Sequence, residues 1–256
     1  MTAPATTWLR ADHARPGQLN LICFPHAGAG AVAFNGWTPL LAPTVRPVAV
    51  QLPGREDRIR EPRYESLGPL LDDLVPVLAE HVAPPFAFFG HSMGALVAYE
   101  AARRMRAQGL PGPRHLFVSG RPAPHLRDHA RPIGGLPHDD FLTALRSLNG
   151  FPAEVLADEA LTRLVAPTLR SDFRVCEGYV HRRGAPLDCP ISVFGGTADD
   201  VTRQDLAEWA AHTNVAFRLR MLPGDHFFVM AECLRVLAAI CDDLCQPALV
   251  TGGERA

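Results

Sequence analysis

The stretch FAFFGHSMGALVAYEAARRM, residues 86–105, decides the fold. Apolar residues run directly into Gly-His-Ser-Met-Gly, and a helical pattern follows at once. G-x-S-x-G between a buried strand and a helix is the nucleophile elbow, a strand-to-helix turn so sharp that the serine backbone is strained. Gly90 and Gly94 flank Ser92 because a side chain at either position would strike the neighbouring strand or helix. The alternative is a glycine-rich turn in which Ser92 only caps the helix that follows. The rest of the chain must decide by supplying partners for the hydroxyl.

A serine hydroxyl is a poor nucleophile at neutral pH and needs a base. Seven histidines follow Ser92: His115, His125, His129, His138, His181, His212 and His226. His226 lies in LPGDHFF, after the last strand pattern and before the last helix pattern. That loop leaves the same sheet edge as Ser92, so His226 is the expected base. A carboxylate should hold its tautomer. FGGTADDVT follows the fifth strand pattern and offers Asp199, the favoured acid, with Asp200 as the alternative. Asp225 adjoins His226 but belongs on the wrong side of the ring. The chain order Ser, Asp, His fits this arrangement. The expected oxyanion donors are the N–H of Met93, after the serine, and of Ala27, in the loop FPHAGAGAVAF after the first strand pattern.

Strand patterns occur at Leu19–Phe24, Val45–Leu52, Phe86–Gly90, Arg114–Gly120, Cys189–Gly196 and Val215–Leu222. Helical patterns occur over 66–82, at Met93–Arg106 and at Phe227–Cys245. Alternating strands and helices predict an α/β chain with a mostly parallel sheet and helices on both faces. The order breaks over 122–186, which lacks a strand and reads as two or three helices in HDDFLTALRSLNG, PAEVLA and DEALTRLVAPTLRSDFRVCEGY. Asp139 or Asp140 could cap the first of them. The expected organisation is a core of residues 1–121 and 187–256, with 122–186 as a helical lid over the carboxyl ends of the strands. The tail TGGERA reads as disordered.

Composition narrows the chemistry. The formal net charge is −2, so no broad field draws the protein to nucleic acid or an anionic membrane. All 25 basic residues are Arg, which rules out a Schiff-base lysine, a pyridoxal-phosphate anchor and a P-loop lysine. The six cysteines match neither zinc spacing nor a disulfide framework, and read as reduced, buried and structural. No secretory signal and no membrane-spanning run is legible, which points to the cytoplasm. GAGAVA, residues 28–33, imitates a dinucleotide fingerprint. That fingerprint needs an acid about 20 residues on to hold the ribose, and AVQLPG supplies none. No cofactor and no metal are expected.

FPHAGAG, LPGRE, GHSMGALVAYE, GGTADD and PGDHFF, in that order, resemble the type II thioesterases of polyketide and nonribosomal peptide synthesis, members of the α/β-hydrolase superfamily. The resemblance spans Leu19 to Ala239. It implies a triad of Ser92, Asp199 and His226, with oxyanion donors at Ala27 and Met93. The aspartate loop, Asp199-Asp200-Val201, is one residue shorter than the Asp-Pro form common in that family. The resemblance also implies hydrolysis of short or aberrant acyl thioesters from the phosphopantetheine arm of carrier proteins, and a monomer is expected. For the insertion, Phe141, Leu145, Leu148, Phe151 and Phe173 are candidate chamber walls, against a default of packing among the lid helices. Arg163, Arg170, Arg174, Arg182 and Arg183 are candidate contacts for an acidic carrier. A small-molecule esterase and a non-catalytic interaction protein are the competing readings.

Overall fold

The computed structural model describes residues 7–13, 15, 17–41, 43–126, 132–147 and 158–245. In chain order the first elements are β1 (Leu9–Arg10), β2 (Leu19–Phe24), α1 (Trp37–Leu41), β3 (Val45–Val50), α2 (Leu67–His81) and β4 (Phe86–His91). They are followed by α3 (Met93–Ala107), β5 (Leu116–Ser119), α4 (His138–Ser147) and α5 (Glu159–Glu177). The chain closes with β6 (Ile191–Gly196), α6 (Arg203–Ala207), β7 (Phe217–Leu222), α7 (Phe228–Ala231) and α8 (Cys233–Cys245).

The strands form one sheet in the order β1-β3-β2-β4-β5-β6-β7. Every pairing is parallel except β1 with β3. Side chains alternate between two cores, as a pleated strand requires. Ile22, Phe24, Phe86, Phe88, Leu116, Val118, Ile191 and Val193 join the core under α2 and α3. Leu21, Cys23, Ala87, Phe89, Phe117 and Phe194 join the core under α1 and α8. Central strands buried on both faces explain the unbroken apolar runs in the sequence.

After β2 the chain passes to β3 on one side, and β4 lies on the other. Such a reversal opens a crevice at the carboxyl ends of the strands. The loop after β2 and the turn after β4 meet there: a Cβ on Gly94 would run into the carbonyl of Phe24.

Several expectations shift. β3 stops at Val50, while Gln51 and Leu52 stay buried as loop ahead of Pro53. β1 is a two-residue strand too short to show periodicity in the sequence. The final helix is two helices, because Glu232 departs from helical geometry between α7 and α8. Asp139 and Asp140 do not cap α4; they lie inside its first turn, where their charge suits the positive end of the helix. Pro76 sits inside α2 without ending it. Cys245 is exposed, unlike the buried Cys23 and Cys189. PAEVLA, Leu148, Phe151 and TGGERA lie outside the described residues.

At the outer side of the sheet, buried Asp243 on α8 ties β6 and β7 together. It accepts from Arg220 on β7 at 2.7 and 2.8 Å, from Arg218 at 2.8 Å and from Ser192 on β6 at 2.6 Å. His115, just before β5, contacts Ser192 Oγ at 2.9 Å. No helix among the described residues is long and apolar enough to cross a membrane.

Candidate active site

Ser92 has φ 53° and ψ −116°, the left-handed side of backbone space for a residue with a side chain. Such a conformation costs on the order of 1–3 kcal/mol and persists only where its surroundings enforce it. Here a 2.8 Å bond from Ser92 N–H to the Ser119 carbonyl holds the turn against β5. A Cβ on Gly90 would collide with the backbone of Gly94, and one on Gly94 with the backbone of Phe24 and Pro25. The two glycines of the motif are therefore fixed by close backbone approach.

His226 arrives on the loop after β7. Thr197 N–H bonds Leu222 O at 2.8 Å and Ala198 N–H bonds Gly224 O at 2.8 Å, so the loops after β6 and β7 are joined. Gly196 permits this, since a Cβ there would meet the carbonyls of Asp225 and Gly224. The joined loops set His226 Nδ1 at 3.0 Å from Asp199 Oδ2. The Asp199 side chain is 2% exposed and its other oxygen accepts from Val201 N–H at 3.2 Å. Asp200 is exposed. Asp225 turns to the backbone N–H of Phe227 at 2.8 Å. Of the three aspartates, Asp199 is the one bonded to the imidazole.

Ser92 and His226 converge on the Ser119–Gly120 step: Ser92 bonds it, and a Cβ on Gly120 would stand 3.3 Å from His226 Cε1. Two further histidines line this junction, and the sequence reading passed over both. The His91 ring lies 5.1 Å from that of His226, and His26 lies 5.9 Å from His91. Burial holds His91 well below the ordinary histidine pKa and lowers that of His26. In both the chief cause is desolvation, which disfavours the charged imidazolium. The signal for His91 was its place within the elbow motif itself.

Met93 N–H opens α3 and takes no acceptor among the described residues. Ala27 N–H is likewise free, whereas the next amide, Gly28 N–H, donates to Asp172 Oδ2 at 2.7 Å. Ala27 itself packs between the core under α2 and α3 and the small core formed by Ile133, Phe141, Leu145, Ala166 and Leu169. Phe141 and Leu145 are thus fully buried within the insertion. Arg170 bonds the carbonyls of Gly134 and Leu136 and lies over the Phe141 ring. Arg174 pairs with Glu65 at 2.6 Å. Both arginines are engaged within the chain, while Arg182 and Arg183 are exposed. Arg183 stands on the wall of a groove of about 780 Å³ with Arg121, His125 and Tyr179.

The glycines of the dinucleotide-like stretch have local neighbours. A Cβ on Gly28 would lie 2.5 Å from Leu169, and one on Gly30 2.7 Å from Gln51 Oε1. Gln51 ends up where a ribose-binding acid would be needed, and its buried carboxamide accepts from Ala31 N–H at 2.7 Å.

A mostly parallel sheet carrying a strained serine on a strand-to-helix turn, with an Asp–His pair on the loops after β6 and β7, defines an α/β-hydrolase fold. The family model described as "Thioesterase domain" matches residues 19–245, and the chain belongs to that family. It is similar to the thioesterase PikA5 of Streptomyces venezuelae, 39% identical over 257 residues, which cover 96% of this chain and 87% of the relative. It is 42% identical to linear gramicidin dehydrogenase LgrE of Brevibacillus parabrevis over 224 residues, 86% of this chain and 85% of the relative. That relative's name implies hydride transfer; the thioesterase match and the engaged Gln51 weigh the other way for this chain. Among solved structures, the type II thioesterase BorB from the borrelidin cluster superposes with a TM-score of 0.87. It is 37% identical, over 95% of this chain and 100% of that one.

Proposed function

We propose that this protein is a serine thioesterase that releases acyl groups from the phosphopantetheine arm of carrier proteins in polyketide or nonribosomal peptide assembly lines. The observation that carries the reading is the 3.0 Å Asp199–His226 bond beside the strained Ser92. In this reading His226 takes the proton from Ser92 Oγ as the oxygen attacks the thioester carbonyl. Asp199 holds Nδ1–H and stabilises the imidazolium. The N–H groups of Ala27 and Met93 receive the developing oxyanion. The tetrahedral intermediate collapses with loss of the thiolate, which the imidazolium protonates. A water activated by His226 then attacks the acyl-Ser92 ester and frees the acid.

The phosphopantetheine arrives with the substrate. Residues 122–186 act as a lid that favours short acyl groups, and the enzyme works as a cytoplasmic monomer. Of the arginines considered for carrier contact, Arg182 and Arg183 are exposed and form no ion pair among the described residues, which suits an acidic partner. Contact remote from the reacting carbon supplies binding energy that positions the thioester.

The test compares acetyl- and propionyl-carrier protein with the same acyl groups on a small thiol. Carrier-linked substrates should show the higher kcat/KM, and the advantage should shrink with salt and with Arg182→Glu/Arg183→Glu. Equal turnover of the two substrate forms at low salt would remove carrier recognition and favour a general esterase.

A further inference from the structure

The loop that carries Ala27 is held from a distance. Arg55 and Asp172 form a bidentate pair, with 2.8 Å between Nη1 and Oδ2 and 2.8 Å between Nη2 and Oδ1. Their side chains are 5% and 4% exposed. Arg55 follows β3 and Asp172 sits on α5, so the pair joins the core to the insertion. Both partners also reach the same loop. Asp172 Oδ2 accepts Gly28 N–H at 2.7 Å, and Arg55 Nη1 donates to Ala29 O at 2.9 Å.

These two bonds act on a closed turn. Ala29 N–H bonds His26 O at 3.1 Å. His26 O belongs to the peptide unit whose other polar group is Ala27 N–H. The next peptide is also held at both ends, with Ala27 O at 3.0 Å from His26 Nδ1 and Gly28 N–H on Asp172. Because a peptide unit is planar, Ala27 N–H points opposite His26 O, which Ala29 N–H holds; the bonds from Gly28 N–H to Asp172 and from Arg55 to Ala29 O hold the residues that make that contact. Gly28 itself, at φ +80°, approaches α5 at Leu169.

We propose that Asp172, held by Arg55, is a positioning residue for the oxyanion hole, so that helix α5 of the insertion sets the direction of Ala27 N–H. The inference rests on the serine thioesterase reading above. Its alternative is a buried ion pair that only docks α5. An oxyanion donor acts through its aim, and a displacement near 1 Å costs about 10²-fold in rate. A docking pair carries no such directional demand. Charged pairs of this kind can be replaced by apolar residues of similar volume without loss of folding, which separates the two roles.

The experiment uses the full chain with Arg55→Met/Asp172→Leu, checked by circular dichroism and thermal melting. Two probes are compared. A short-chain trifluoromethyl ketone accepts Ser92 Oγ at its carbonyl carbon; the hydroxyl proton passes to His226 and the oxygen becomes a hemiketal anion in the oxyanion hole. An acyl-carrier analogue with an amide in place of the thioester binds without that adduct. The folded double variant should lose about 10²-fold in ketone affinity and in kcat, with the amide Kd within about twofold. Arg55→Gln/Asp172→Asn, which keeps an acceptor for Gly28 and a donor for Ala29, should recover most of the loss. Unchanged ketone affinity in a folded Met/Leu variant overturns the proposal, as does equal loss of ketone and amide binding. If the Met/Leu variant does not fold, Arg55→Gln/Asp172→Leu serves, since it leaves no buried charge and removes the acceptor of Gly28 N–H: about tenfold weaker ketone binding with the amide Kd within about twofold supports the role, and unchanged ketone binding overturns it. A wild-type enzyme that ignores the ketone, with Ser92→Ala still active, would instead remove the serine mechanism on which both readings stand.

Discussion

The two sides of the candidate site are built differently. On one side Ser92, Asp199 and His226 each sit a few residues past the end of β4, β6 or β7, and neighbouring loops hold them by short backbone bonds. On the other side Ala27 depends on Arg55 and Asp172, which come from a separate loop and from the insertion. In the proposed site, strand ends and their loops alone align Ser92, Asp199 and His226. The proposed oxyanion side is completed only when α5 is docked. A fold can therefore keep a complete triad while an inserted element retunes how well that triad stabilises charge.

The largest expected effect breaks the first side outright. Ser92→Ala should fold and lose on the order of 10³-fold or more in turnover, since the remaining groups only bind and polarise. Hydrolysis near the wild-type rate by a folded variant would move the nucleophile elsewhere. Asp199→Asn comes next, with an expected loss of about 10²- to 10³-fold in kcat and little change in KM. Asp200→Asn, at an exposed position, should stay within about twofold of wild type. Steady-state kinetics on one acyl thioester ranks the pair, and the reverse order would assign the acid to Asp200.

The smallest effect tests the second side against a backbone control. Gly28 and Gly109 both have positive φ, +80° and +68°, and a side chain at either costs about 1–2 kcal/mol in that conformation. A Cβ on Gly28 also meets Leu169 on α5, whereas one on Gly109 meets nothing within 4 Å. Both alanine variants should melt a few degrees lower. Only Gly28→Ala should lose turnover, by about tenfold, and Leu169→Ala in the same chain should restore part of it. Equal activity in the two alanine variants would mean that the loop after β2 tolerates displacement.

The same division decides what the sequence disclosed. Strands β2, β4, β5 and β6 are apolar on both faces, so their runs stand out against the turns between them. Elbow, base and acid all lie within a few residues of those runs, and spacing alone narrowed them. Asp199 and Asp200 stayed open because only the fold of the joined loops buries one and exposes the other. The Arg55–Asp172 pair was hidden for a different reason: its partners are 117 positions apart, and Gly28 lies 144 from Asp172. One trace existed, an aspartate on the face of α5 that also buries Ala166, Leu169 and Val175. Arg170 and Arg174 misled in the opposite sense. Charge on a helix suggested a partner surface, and the structure uses both side chains to fasten the insertion.

Among the described residues β7 ends the sheet, and a six-residue strand with no neighbour there on its outer rim is an invitation to template another chain. Its sequence alternates Phe217, Leu219 and Met221 with Arg218 and Arg220, and buried Asp243 anchors both guanidinium groups along the strand. A foreign strand laid against this rim would have to settle beside two immobilised cations. The opposite rim, β1, is two residues long and offers almost no ladder to copy. Neither border has the long, flat, apolar run from which fibres grow. The carboxylate that fastens the last helix thus also guards the sheet against self-templated aggregation.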